Sequence, residues 1–145
     1  GGGGNGPFST VDRITYATDT DTASVRGPLS LARLRLAAAG NSDYGWFGGG
    51  RNYFSGPYAV TTSTVNRITY ATDTETASVR GPLSGTRYGL AAAGNTTDGW
   101  FGGGYSPGSV STVDRITYAT DTATASVRGP LGRAGYNLAA AGGIQ

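Results

Sequence analysis

From Val11 to Ala17 the chain alternates Val, Arg and Thr with Asp, Ile and Tyr. A period of two predicts a β-strand with one packed face. Thr18-Asp19-Thr20-Asp21 then reads as a turn, because Asp and Thr side chains bond their own backbone. Thr22 to Arg26 predicts a second short strand, stopped by Gly27-Pro28. Leu34 to Ala39 predicts a third strand of small residues, and Asn41 to Asp43 another turn. Tyr44 to Phe47 predicts the fourth strand, closed by Gly48-Gly49-Gly50, where positive φ and close backbone approach are expected. Ala37-Ala38-Ala39 alone favours a helix. Gly on one side and turn residues on the other keep the strand reading.

This pattern recurs along the chain. Arg13-Ile14-Thr15-Tyr16-Ala17-Thr18-Asp19-Thr20 returns from Arg67 and from Arg115, at offsets of 54 and 48 residues. Thr22 to Leu29 returns from Thr76 and Thr124, Leu36 to Gly40 from Leu90 and Leu138, and Gly45 to Gly50 from Gly99. The six additional residues of the longer period sit in one place. Arg51 to Thr62 has twelve residues where Tyr105 to Val110 has six, as expected of a surface loop.

A repeat of 40–50 residues with four turn-separated strands is the signature of a β-propeller blade, preferred here over a β-solenoid or a β-sandwich. Ala37, Ala38 and Ala39 suit the crowded inner strand of a blade. We label the predicted strands A (Leu36 type), B (Trp46 type), C (Ile14 type) and D (Val25 type), from the axis outward.

Composition narrows the chemistry. The 145 residues contain no His, Cys, Met or Lys, and all eleven basic residues are Arg. A Ser-His-Asp triad, a thiol nucleophile, a zinc finger and a Schiff-base lysine are thereby excluded. Ile, Leu, Val and Phe account for only 24 of 145 residues, but a net charge of +2 is too small for charge-driven disorder. No basic run marks a nucleic-acid site, and no apolar stretch approaches the ~20 residues of a membrane helix. We therefore expect no nucleic-acid partner, no membrane and no cofactor. A chain opening on Gly rather than Met, without a signal-peptide pattern, reads as processed, trimmed or a fragment.

The order of motifs resembles the kelch repeat. Arg87, Leu90 to Gly94, Gly99 to Gly104, Ser111 to Tyr118 and Thr124 to Leu131 follow the kelch order over nearly the whole chain. The resemblance implies a kelch-like β-propeller. Two features depart from it: Thr22 to Arg26 lacks the usual outer-strand Trp, and Gly135 stands where Arg33 and Arg87 stand, with Arg133 two residues earlier. The motifs are also similar to repeat arrays encoded by viruses of marine cyanobacteria and algae. That similarity implies a structural place on a virion or an extracellular appendage.

The repeat divides the chain into 1–30 (strands C and D of a split blade), 31–84 and 85–131 (full blades) and 132–145 (strand A of a split blade). Three blades' worth of strands do not readily close a ring, whereas two chains give about six blades. We expect a homodimer whose split blades are built from both chains, with Ile144 standing where Trp46 and Trp100 stand. Open sheet edges supply the motive. If the contacts do not close, they generate a filament.

Several residue sets could carry function. Asp19, Asp21, Asp73, Glu75 and Asp121 cluster in the C–D turns, as calcium ligands or, preferably, turn caps, since no EF-hand loop is present. Asp12, Asn66 and Asp114 precede Arg13, Arg67 and Arg115; a glycosidase carboxylate pair is disfavoured because Asn66 breaks the set. Arg13, Arg67 and Arg115 are expected to share one type of partner. Arg26, Arg80 and Arg128 could form a guanidinium ring for an acidic ligand, but ion pairing between blades with Asp12-type residues or carbonyls is preferred. Trp46 and Trp100 could stack on sugars, though a core role between blades is preferred. Tyr53, Phe54, Tyr58 and Tyr105 lie in the variable B–C loops and are the best candidates for binding a glycan or protein. Asn95-Thr96-Thr97 matches a glycosylation sequon. A non-catalytic structural propeller, a binding propeller and, least favoured, an enzyme are the resulting classes.

Overall fold

The computed structural model describes residues 6–53 and 59–143. It is all-β, with no α-helix among the described residues. Two four-stranded antiparallel sheets form its body. The first runs in the order β3 (Ala37–Gly40), β4 (Tyr44–Gly48), β7 (Val65–Thr69), β8 (Ser78–Arg80). The second runs β9 (Ala91–Gly94), β10 (Asp98–Gly102), β11 (Val113–Thr117), β12 (Ser126–Arg128). Ahead of both, β1 (Val11–Arg13) and β2 (Ser24–Arg26) pair as a two-stranded sheet that repeats the β7–β8 half. The long B–C loop folds back as a small hairpin, β5 (Arg51–Asn52) with β6 (Val60–Thr61).

The four expected strands per repeat are present in each complete sheet, but strand A begins at Ala37 rather than Leu34, with Arg35 at positive φ, and the first D strand at Ser24 rather than Thr22. The C strand ends at Arg13, Thr69 and Thr117, and the Tyr that follows opens a 3-10 turn (Tyr16–Thr18, Tyr70–Thr72, Tyr118–Thr120). This turn aims Tyr118 and Tyr70 at the glycines of their own A–B turns. A Cβ on Gly94 would lie 2.5 Å from the Tyr118 hydroxyl, and one on Gly40 2.9 Å from that of Tyr70. The Asn41 and Asn95 side chains close those A–B turns, each accepting two backbone N–H groups ahead of the B strand. The triplet glycines Gly49, Gly50, Gly103 and Gly104 take positive φ, as expected. Leu138 to Ala141, expected as an A strand, forms no strand. An A strand elsewhere in the molecule is held by a B strand, and only Gly142-Gly143 are described beyond it.

The sheets stack face to face, and the core lies in the two junctions. Between the complete sheets, Ala39, Trp46, Val65 and Leu83 pack on Leu90, Phe101, Ile116, Tyr118 and Ala125. Between the two-stranded sheet and the first complete one, Val11 and Leu29 pack on Leu36, Phe47, Ile68 and Ala77. The second list is the first shifted by one repeat, without counterparts of Ala39, Trp46 and Tyr118.

Backbone contacts repeat at the same junctions. Gly27 N–H donates to the Asp73 carbonyl at 2.6 Å, and Gly81 N–H to the Asp121 carbonyl at 2.8 Å. Ala77 N–H donates to the Pro28 carbonyl and Ala125 N–H to the Pro82 carbonyl, both at 2.9 Å. A Cβ on Gly27 or Gly81 would stand 1.9 Å from a carbonyl oxygen of the next sheet, whereas one on Gly129 meets nothing within 4 Å. Gly81→Ala should therefore destabilise the fold by about 3 kcal/mol, because the backbones must move apart. Denaturant melts of Gly81→Ala and Gly85→Ala, the latter also in open space, check this by comparison.

Candidate functional site

The polar centre of the junction between the complete sheets is a carboxylate. Asp121 follows the 3-10 turn of the second sheet and is buried. Its Oδ2 accepts from Trp46 Nε1 at 2.9 Å and Arg67 at 3.0 Å, with Arg80 Nε 3.5 Å away. All three donors belong to the first sheet. The indole lies flat on the Tyr118 ring, centroids 3.8 Å apart and planes 4° off parallel. Arg67 also lies over the Tyr44 ring at 4.6 Å.

One repeat earlier the same site recurs in part. Asp73 Oδ2 accepts from Arg13 at 2.7 Å, with Arg26 Nε at 3.3 Å. The preferred reading of Arg26 and Arg80 as ion-paired between sheets thus has its counterpart in the structure, but the partners are Asp73 and Asp121 rather than Asp12-type residues. Arg13 and Arg67 share one type of partner. Arg115 differs: its Nε lies 3.5 Å from Asp98 of its own sheet, because no later Asp73-type carboxylate stands beside it. Burial raises the Asp98 carboxyl, but hydrogen bonds from the Thr117 and Thr97 hydroxyls, with Arg115 and Arg128 nearby, outweigh it and hold the group below its ordinary range. Asp73 and Asp121 thus stand at the ends of their 3-10 turns, and their side chains serve as junction acceptors. Their signal in the sequence is that Asp occupies 19, 73 and 121 in every copy, while the next acidic position reads Asp21, Glu75 and Ala123.

Trp46 is fully buried, in the core role preferred for it; Trp100, on the outer face of the second sheet, is only half-buried. The Tyr copies form a gradient: Tyr16 is 93% exposed, Tyr70 40% and Tyr118 8%. Burial pushes the Tyr118 hydroxyl up to about 12, with Asp98 and Tyr70 adding to it.

A second buried polar system lies inside each sheet, and in the second sheet it is an ion pair. Arg87 donates to the Phe101 carbonyl at 3.1 Å and to Asp114 Oδ2 at 3.0 Å, and Ser84 N–H donates to the same oxygen at 2.8 Å. In the first sheet Arg33 reaches the Phe47 carbonyl at 2.9 Å, but Asn66 replaces the carboxylate and bonds Ser30 instead. Burial lowers Arg33 to about 10.

Of the loop aromatics, Tyr53 is exposed, and Tyr105 packs between Tyr88 and Tyr136 with ring centroids 5.5 Å from each. Arg51 lies over both Tyr53 and Tyr88. Phe54, Tyr58 and Ile144 lie outside the described residues. Asn95 of the sequon uses its side-chain oxygen in the turn. Among the described residues no group of three or more acidic side chains converges as a metal site, and no helix is long and apolar enough to cross a membrane.

No protein-family model matches the sequence, and no curated protein matches it significantly.

The contrast between Asp114 and Asn66 yields a paired expectation. Asp114→Asn leaves the buried Arg87 without its counter-charge and should cost about 3 kcal/mol. Asn66→Asp supplies Arg33 with one and should stabilise the chain in denaturant melts at pH 7.

Proposed function

We propose that this chain is a non-catalytic, self-assembling β-propeller module, of kelch-like blade order, that closes a ring by pairing head to tail with a second copy. One observation carries the reading: the two outer faces bear the two halves of a junction that the chain already makes twice. The leading face presents Tyr16 and Asp19, both exposed, where Tyr118 and Asp121 receive the first sheet. The trailing face presents Trp100, Arg115, Arg128 and Gly129 where Trp46, Arg67, Arg80 and Gly81 act inside. Charge, shape and backbone donors are complementary, with Gly129 N–H facing the role of Gly81 and the Asp19 carbonyl that of Asp121.

A chain without His, Cys or Lys, whose buried acids are tied to guanidiniums, fits a scaffold better than an acid–base catalyst. The likeness to marine-virus repeat arrays fits a virion or extracellular appendage. A binding role for the loops rests on the exposed Tyr53 and the Arg51–Tyr88–Tyr105–Tyr136 cluster beside it. These groups pack on one another, so we rank binding second.

Sedimentation at micromolar concentration tests the assembly. The expected result is a sole species of twice 14.7 kDa. A sole species of 14.7 kDa refutes closure, and a ladder of sizes refutes it in favour of open filaments. Gly129→Ala should melt like the wild-type monomer yet fail to dimerise, since its Cβ meets nothing within the chain but would meet the partner's backbone.

A further inference from the structure

Charge is divided between the two ends of the sheets. The A–B and C–D turns lie at one end, the B–C and D–A connections at the other. Residues 14–23, 41–44, 70–77, 95–98 and 118–125 make up the turn end, with seven of the nine carboxylates and no arginine. Residues 27–36, 49–64, 81–90, 103–112 and 129–137 make up the loop end, with five of the eleven arginines and no carboxylate. Every Arg, Asp and Glu lies among the described residues, so the division holds for all of them. Of the loop-end arginines, Arg33 and Arg87 are buried within their sheets. Arg35 and Arg133 are exposed and Arg51 half-buried, and among the described residues no carboxylate pairs with any of the three. Two of them converge. The guanidinium of Arg35 lies 5.7 Å from the Tyr88 ring centroid and that of Arg51 4.6 Å from it. Tyr105 packs on Tyr88, and Tyr136, 45% exposed, stands edge-on to Tyr105. Two cations and three phenol rings thus form a row across the loop end.

We propose that the loop end binds an acidic polysaccharide, with a uronate carboxylate held by Arg35 and Arg51 and sugar faces laid on the phenol rings. Arg35 is placed there at a cost. Its φ is +57°, where its copies are Gly89 at +67° and Asn137 at +54°. Gly and Asn tolerate this left-handed region, whereas a long side chain in it costs about 1 kcal/mol. Two guanidiniums over one ring without a counter-charge also repel each other. A carboxylate from outside the chain offsets both costs, because each guanidinium presents a fork of donors to it. The row interleaves guanidiniums with apolar ring faces, and the Thr86 and Ser106 hydroxyls, 3.3 Å apart, lie in the same connections as Tyr88 and Tyr105. An acidic sugar offers the matching set: a carboxylate, an apolar ring face and hydroxyls. A single-stranded nucleic acid needs a run of cations tracking its phosphates, and only Arg35, Arg51 and Arg133 stand outside the sheets at this end. An acidic peptide supplies carboxylates but no sugar face for the phenols. The proposal rests on the loop-binding role rather than on ring closure.

The test titrates a fluorescein-labelled hexamer of galacturonic acid against the full chain by anisotropy. A hexamer of glucose, hexaglutamate and a hexameric oligothymidylate, labelled alike, are the comparison probes. Saturable binding of the uronate is expected, at least tenfold tighter than of the other three and weaker at high salt. Arg35→Gly installs the residue of the next copy, so the positive φ is kept and the cation is lost. Uronate binding should fall at least tenfold in this variant, with no loss of thermal stability. Tyr88→Leu installs the residue of the preceding copy, Leu34, and should also weaken the uronate. If Tyr88→Leu does not fold, Arg35→Gly decides. Equal affinity of Arg35→Gly and wild type overturns the inference, as does equal affinity for the uronate and the glucose hexamer. Hexaglutamate or oligothymidylate binding as tightly as the uronate overturns the ligand class while leaving a binding role for the loops in place. Absence of saturation by every probe at millimolar concentration overturns both. The readout is binding per chain, so a failure to dimerise is a separate result.

Discussion

One carboxylate oxygen organises the stacking of the sheets. Asp121 Oδ2 gathers an indole N–H and two guanidiniums from the preceding sheet, while its own backbone carbonyl takes Gly81 N–H. A chain with only 24 Ile, Leu, Val and Phe among 145 residues has little apolar area to spend on each junction. The polar cluster does something apolar packing does not: it fixes register, because a sheet slid by one residue strands a buried charge. Gly27 and Gly81 are the steric counterpart. They let backbones approach to hydrogen-bonding distance, and any side chain there would hold the sheets apart.

Identical sequence does not give identical environment in a stack. Ile14, Ile68 and Ile116 share their flanking residues, yet Ile14 is exposed and the other two are buried. The same holds for Asp19 against Asp73 and Asp121. What differs is how much of a neighbour lies ahead of each copy among the described residues: no strand for the first, two strands for the second, four for the third. This is nearest-neighbour energetics, in which a unit's stability depends on the interface it completes.

The strands, their turns and the glycine backbone were legible because they depend on local order: period two, Asn turns, and Gly where φ must be positive. The 3-10 turn was hidden because Tyr16-Ala17-Thr18 continues a strand-like alternation, and only its fit under the A–B glycines bends it away. The role of Asp73 and Asp121 was hidden for a different reason. Their hydrogen-bonded partners lie 54 to 75 residues away ahead of them, and no periodicity within one repeat points across the junction. Asp12-type residues were the expected carboxylate partners of Arg26 and Arg80 across the blades, yet the side chain of Asp114 serves its own sheet. Adjacent residues on a strand face opposite sides, so Asp114 turns inward to Arg87 while Arg115 turns to the other face.

The three copies also separate what the stack demands from what a single sheet tolerates. At the junction, Arg, Asp and Gly stand unchanged in every copy, at 13, 67 and 115, at 19, 73 and 121, and at 27, 81 and 129. Inside the sheet, the acid drifts from Asp12 to Asn66 to Asp114, and the arginine from Arg33 and Arg87 to Gly135. A junction contact joins two units, so a change in one copy must fit both neighbours. An in-sheet contact answers only to its own unit, and Asn66 can trade a guanidinium for the Ser30 hydroxyl at a local cost. Among the described residues Asp19, Gly129 and Arg128 make no junction contact, yet they keep the junction residues. The outer faces therefore carry the same steric and electrostatic specification as the inner ones, which is the physical ground for reading them as two halves of one more junction.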